Sequence, residues 1–164
     1  MISALKAVEA IHQQRVDALA VAIMTPNRYL EQVSDRPYLD LPIIGGMGKA
    51  SSVGLGLALA QPKRRVLILD GDGSLLMNLG VLVTIAGQQP QNLVHFVFED
   101  GVYFTTGGQP LPGSGIFDLA AIARGAGYKE GLVFDDLEDF VSDLPRILSA
   151  TGPVFVCLRV HHEG

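Results

Sequence analysis

Four short runs in this chain are apolar at almost every position and rich in β-branched side chains: residues 20–24, 66–70, 93–98 and 154–160. A strand with one face in water alternates apolar and polar residues. These runs do not alternate, so each reads as a strand buried on both faces. Residues 41–44 form a weaker fifth. Between the runs lie segments with helical spacing: 2–18, 50–60, 75–87, 118–125 and 137–150. Strands without a polar face, alternating with helices, predict an α/β fold. Its mostly parallel central sheet is covered on both sides, giving three αβα layers.

The 164 residues are enough for one domain with its own core, and no repeat, low-complexity tract or linker divides them. Residues 107–115 are Gly/Pro-rich and read as a long loop, the kind that often carries function. Hydrophobic residues make up 48% and charged residues 18%, a greasy balance for so small a domain. Part of its surface is therefore expected to meet a partner in an oligomer. The net charge of -5, with scattered Lys and Arg, offers no basic stripe for a phosphate backbone, so nucleic-acid binding is disfavoured. No apolar stretch reaches the ~20 residues of a membrane helix and no signal pattern is present, so a cytoplasmic location is expected. The only cysteine, Cys157, falls in a strand run and is expected to be a buried thiol.

Ligands of an open parallel sheet bind beyond the carboxyl ends of its strands, which directs attention to the residues just past each run. After 66–70 come Gly71, Asp72, Gly73 and Ser74, then a helical segment. Glycines let backbone amides approach an anion, and a carboxylate beside them can hold a divalent cation. Taken alone, the same residues also fit a tight turn with Asp72 as helix N-cap. After 93–98 come Glu99, Asp100, Gly101, Val102 and Tyr103, placing a second carboxylate 28 residues beyond Asp72. Mg²⁺ favours one or two side-chain oxygens completed by a backbone carbonyl and phosphate oxygens, and two neighbouring strand ends can supply that set. The third junction is Gly45, Gly46, Met47 and Gly48, ahead of the 50–60 helix. A dinucleotide fingerprint is the rival there, because Gly46, Gly48 and Ser51 open a helix and Asp70 ends the next strand. It has Ser where the third Gly or Ala belongs and leaves Asp72, Ser74 and Asp100 unexplained.

These residues resemble the diphosphate and Mg²⁺ motif of thiamine diphosphate enzymes, which implies that family's diphosphate-binding domain. The resemblance implies Asp72 and Asp100 as side-chain metal ligands, Val102 as a carbonyl ligand, and Gly71, Gly73 and Ser74 against the diphosphate. The chain departs from the pattern at Asp100, where the family usually has Asn; the aspartate adds a negative charge to the site. The 41–48 segment resembles the family's aminopyrimidine loop, in which the carbonyl here belonging to Gly45 accepts a hydrogen bond and the side chain here belonging to Met47 bends the cofactor. Residues 102–110 are similar to the corresponding loop of its sulfopyruvate and phosphonopyruvate decarboxylases, which implies Tyr103 and Thr105 at the cofactor, with Thr106 and Gln109 nearby.

The implied activity is Mg²⁺- and thiamine diphosphate-dependent decarboxylation of a small acidic 2-oxo acid, a lyase reaction. In that family a glutamate from a pyrimidine-binding domain activates the cofactor. Only about 40 residues precede Gly45, too few for a usual domain. The glutamate is therefore expected on a partner subunit, leaving no catalytic residue in this chain. The contrasting reading is a non-catalytic module that binds a nucleotide or phosphate to regulate a partner. Among the histidines, His95 is expected in the core and His12 on a helical face, while His161 and His162 are expected in a frayed tail, with a swing towards a partner's site as the alternative.

Overall fold

In the computed structural model, which describes residues 1–162, every residue of 66–70, 93–98 and 154–158 is buried, which accounts for the missing alternation. The chain runs β1 (Ile2–Ser3), α1 (Ala4–Gln14), β2 (Leu19–Ile23), α2 (Met24–Val33), β3 (Asp40–Ile43), α3 (Ala50–Ala60), β4 (Val66–Gly71) and α4 (Asp72–Leu76). It continues with α5 (Val81–Gln88), β5 (Leu93–Glu99), β6 (Val102–Tyr103), β7 (Gln109–Pro110), α6 (Leu119–Ala126), β8 (Glu130–Phe134), α7 (Leu137–Ser149) and β9 (Val154–His161). Seven strands form one sheet in the order β3-β2-β4-β5-β9, with β8 along the first part of β9 and β1 against its last residues. All its pairings are parallel.

Successive strand residues serve opposite cores. Leu67, Leu69 and Phe96 join Val8, Ile11, Leu30, Phe140 and Leu144 in a layer built from α1, α2 and α7. Val66, Ile68 and Val97 join Leu55, Leu82, Ile85 and Leu119 in a layer from α3, α5 and α6. The three αβα layers follow from the strand pattern, and the sheet is wholly parallel. From β2 the chain goes outward to β3 and then crosses to β4 on the other side of β2. Such a reversal opens a crevice at the carboxyl ends of the two strands, where open α/β sheets bind ligands.

Several expected boundaries are corrected. The 2–18 helix is shorter, because Ile2 and Ser3 pair with β9 and the Ser3 hydroxyl caps α1 by accepting from the Lys6 amide. Helix α2 escaped detection because Thr25-Pro26-Asn27 reads as a turn, yet a proline in the first turn costs no intrahelical hydrogen bond. The single helix expected over 75–87 is two: α4 begins at Asp72, and between it and α5 the Asn78 side chain donates from Nδ2 to the Gly48 carbonyl at 3.0 Å. Strand β8 has only three apolar residues and lies half-exposed, so its pattern was weak. The 107–115 loop contains β7, which pairs with β6 as a short antiparallel hairpin.

Candidate functional site

A solvent-open pocket lies at the carboxyl ends of β2, β4 and β5, on the crevice that the strand order creates. Met24, Thr25 and Pro26 line it from β2, Gly71 to Ser74 from β4, and Phe98 and Asp100 from β5. Val102 to Thr106 form the outer wall, with Met47 and His162 completing it.

Asp72 is the most constrained group. It is 2% exposed at the first residue of α4. Its Oδ1 accepts from the Gly73 amide at 2.7 Å, and its Oδ2 accepts from the amides of Asp100 and Gly101 at 3.1 and 2.8 Å. Adjacent parallel pairing of β4 and β5 makes this contact possible across 28 residues of sequence. Burial pushes the Asp72 carboxyl up to about 7, and the charges of Asp100 and Glu99 push the same way against the amide bonds. The site therefore holds more negative charge than its own donors neutralise. A cation would relieve that surplus, so the residues fit a Mg²⁺ shared with a diphosphate. Among the described residues no group of three or more His, Cys, Asp or Glu could hold a metal by itself.

The Asp100 carboxylate makes two bonds. Its Oδ1 accepts from the Val102 amide at 2.9 Å, and its Oδ2 lies 2.6 Å from His162 Nε2. The Ser74 hydroxyl, 2% exposed, accepts from the Gly48 amide at 3.0 Å and so ties the β4 end to the loop that carries Met47. Gly73 has no room for a side chain, because a Cβ would stand 2.9 Å from the Tyr103 ring. Asp70 is fully buried, bonded to the Gly71 amide at 2.9 Å and the Ser51 hydroxyl at 3.2 Å. A carboxylate committed inward in this way cannot reach a ribose, which removes the dinucleotide reading.

Residues 21–158 match the family model for the thiamine pyrophosphate enzyme C-terminal TPP binding domain. The chain belongs to the thiamine pyrophosphate enzymes. It is 41% identical to the sulfopyruvate decarboxylase subunit beta of Methanothermobacter thermautotrophicus, over 98% of this chain and 83% of that one. It is 42% identical to a phosphonopyruvate decarboxylase of Streptomyces hygroscopicus over 72% of this chain, but spans only 29% of that relative's length. Among solved structures, benzoylformate decarboxylase from Polynucleobacter necessarius shares the fold at a TM-score of 0.78 and 21% identity, covering 94% of this chain and 32% of that one.

Within this thiamine pyrophosphate-binding domain, Gly71, Asp72, Gly73, Ser74, Asp100, Val102, Tyr103, Thr105 and Met47 all converge on the pocket. Gly45 and Gly46 do not line it, and Gly45 is solvent-exposed. Thr106 lines the pocket, while exposed Gln109 instead donates to the Thr106 carbonyl at 2.8 Å. Sequence reasoning passed over Met24, Thr25 and Pro26, although the rule of reading every strand end applies to β2 as well. Met24 adopts φ +54°, an uncommon left-handed geometry for a residue with a side chain and one that tends to occur at functional sites. His162 was expected to fray and is instead seated in the pocket wall, its side chain 7% exposed. His95 is in the core as expected, with Nδ1 3.1 Å from the Tyr128 hydroxyl, but its buried Nε2 has no hydrogen-bond partner. His12 pairs with Asp35 at 2.8 Å. Cys157 is a buried strand thiol whose ionisation is pushed up by burial and by nearby Glu99.

Proposed function

We propose that this chain is the thiamine diphosphate- and Mg²⁺-holding subunit of a two-subunit decarboxylase that acts on sulfopyruvate or phosphonopyruvate in the cytoplasm. The observation that carries this reading is the convergence of Asp72 and Asp100 at adjacent strand ends in one pocket that no glutamate lines among the described residues. Asp72, Asp100 and the Val102 carbonyl hold the metal, with Gly71, Gly73 and Ser74 beside the diphosphate. Met47 and the Gly45 carbonyl serve the aminopyrimidine side, and Tyr103 and Thr105 close the outer wall. When bound, the cofactor supplies the nucleophilic carbon and the electron store for loss of CO₂ from a 2-oxo acid. This chain's part is to place that group and balance its charge.

The activating glutamate comes from another polypeptide. Glu99 is already engaged, lying 3.5 Å from Arg159 and accepting from Cys157 at 3.4 Å, and Glu31 is exposed and bonded to Asn27. The relative that matches nearly all of this chain is itself named a beta subunit, which supports a separate partner carrying the pyrimidine-binding domain. Among the described residues no helix is long and apolar enough to cross a membrane.

The test follows CO₂ release from sulfopyruvate, phosphonopyruvate and pyruvate with thiamine diphosphate and Mg²⁺, for this chain with and without the partner subunit. Turnover is expected only for the pair, because positioned acid-base help is worth about 10²–10⁴-fold in rate. Steady turnover by the rigorously purified chain alone would overturn the split site.

A further inference from the structure

His162 is held on three sides. Its Nε2 lies 2.6 Å from Asp100 Oδ2 and its Nδ1 3.3 Å from the Tyr29 hydroxyl. Its ring lies against Phe104 at a centroid distance of 4.2 Å and stacks on Tyr29 at 5.9 Å. The bond to the carboxylate requires a proton on Nε2, and in the neutral ring Nδ1 then accepts from Tyr29.

We propose that His162 is a positioning residue for the metal site, acting through Asp100. The inference rests on the reading of Asp100 as a metal ligand. A carboxylate rotates broadly about its last torsion, so either oxygen, or neither, could face an ion. Here both ends are fixed: the Val102 amide holds Oδ1 at 2.9 Å and His162 holds Oδ2. Oδ1 keeps a second lone pair for the cation, while the surplus charge of the carboxylate rests on the oxygen that His162 donates to. An asparagine has a single oxygen and needs no such restraint; the aspartate has two equivalent ones, and His162 makes them inequivalent. Tyr29 on α2 and Phe104 on the outer wall in turn fix the imidazole, so the C-terminal end of β9 is coupled to the metal ligand at the end of β5. Partners that orient a metal ligand in this way typically change metal affinity 10- to 100-fold when removed.

Mn²⁺ binding to the full-length chain with thiamine diphosphate, measured by calorimetry and by the Mn²⁺ electron paramagnetic resonance spectrum, tests the proposal. His162→Ala is expected to weaken Mn²⁺ binding about 10- to 100-fold and broaden the spectrum, as Asp100 loses its fixed orientation. His162→Gln, whose amide can still donate to Oδ2, should recover most of the affinity and the narrow spectrum. Tyr29→Phe removes the hydroxyl that holds Nδ1 and should fall between wild type and His162→Ala; it carries the test if the alanine variant does not fold. Unchanged affinity and spectrum in His162→Ala overturn the proposal, as does a glutamine variant no better than alanine. Tighter binding in His162→Ala also overturns it, making the histidine a competitor for Asp100. Asp72→Ala separates the two levels. If it binds Mn²⁺ as wild type does, the metal site itself is wrong; if it loses Mn²⁺ while His162→Ala does not, only the role of His162 fails.

Discussion

Asp72 joins the charge of the site to its pH behaviour. A carboxyl raised from 3.8 to about 7 favours the protonated form in the folded chain, so folding is helped at low pH and that help is lost as pH rises towards 7. The metal-free chain should accordingly lose stability between about pH 4 and 7. Mg²⁺ should restore it, because the ion prefers the ionised carboxylate. Mg²⁺ affinity should fall about tenfold per pH unit below 7, one proton being displaced per ion, and level off above it. Calorimetry across pH 5.5–8 checks this; a flat profile would mean that Asp72 is ionised throughout or not a ligand. Asp72→Ala should abolish metal-dependent cofactor binding. At the neighbouring carboxylate proposed as a second ligand, Asp100→Asn keeps one oxygen and removes one charge, so metal affinity should drop modestly while the assembled enzyme stays active. A dead but folded asparagine variant would give Asp100 a role beyond coordination.

Helix α3 runs from the Met47 loop along β4, and its two glycines separate packing from propensity. A Cβ on Gly54 would come within 2.6 Å of Ile68 Cδ1 on β4, whereas one on exposed Gly56 would meet nothing within 4 Å. Gly54→Ala should therefore cost about 1–3 kcal/mol by forcing α3 off the sheet. Gly56→Ala should stabilise by about 1 kcal/mol, the helix propensity gain of alanine. Urea denaturation with unchanged m-values would report both. Equal effects would mean that α3 sits looser on β4 than its buried contacts indicate. The consequence reaches the site, because the Ser51 hydroxyl at the start of α3 bonds Asp70, two residues before Asp72.

At the scale of the whole molecule, exposed apolar side chains lie next to the Met47 loop. Ile44, adjacent to Gly45 in sequence, is 83% exposed, and Met77, whose Cβ would lie 3.3 Å from a Cβ on Gly48, is 62% exposed. Exposed apolar residues clustered beside a functional loop mark a contact surface. The isolated chain should self-associate through this face, and the partner subunit should suppress that association by covering it. Sedimentation of the chain alone should show a concentration-dependent increase in mass that Ile44→Glu with Met77→Glu reduces. If that double variant still pairs fully with the partner, the interface lies elsewhere.

The strand runs, the three layers and the acidic pair were legible in the sequence because buried strands leave no polar face to disguise them and because Gly71-Asp72-Gly73-Ser74 and Asp100-Gly101 come close behind two such runs. Those signals are local, carried by neighbours along the chain. Features that depend on non-local pairing were not legible. Half-exposed β8 pairs only because β9 lies beside it, α2 forms despite a turn-like start because Tyr29 and Leu30 bury in the core, and the turn that splits the 75–87 segment is tied by the Asn78 side chain to a carbonyl 30 residues away. His162 shows the limit most plainly. Nothing in the neighbouring residues distinguishes it from a loose end, and only the parallel pairing of β5 with β9 carries the chain terminus to within 2.6 Å of Asp100.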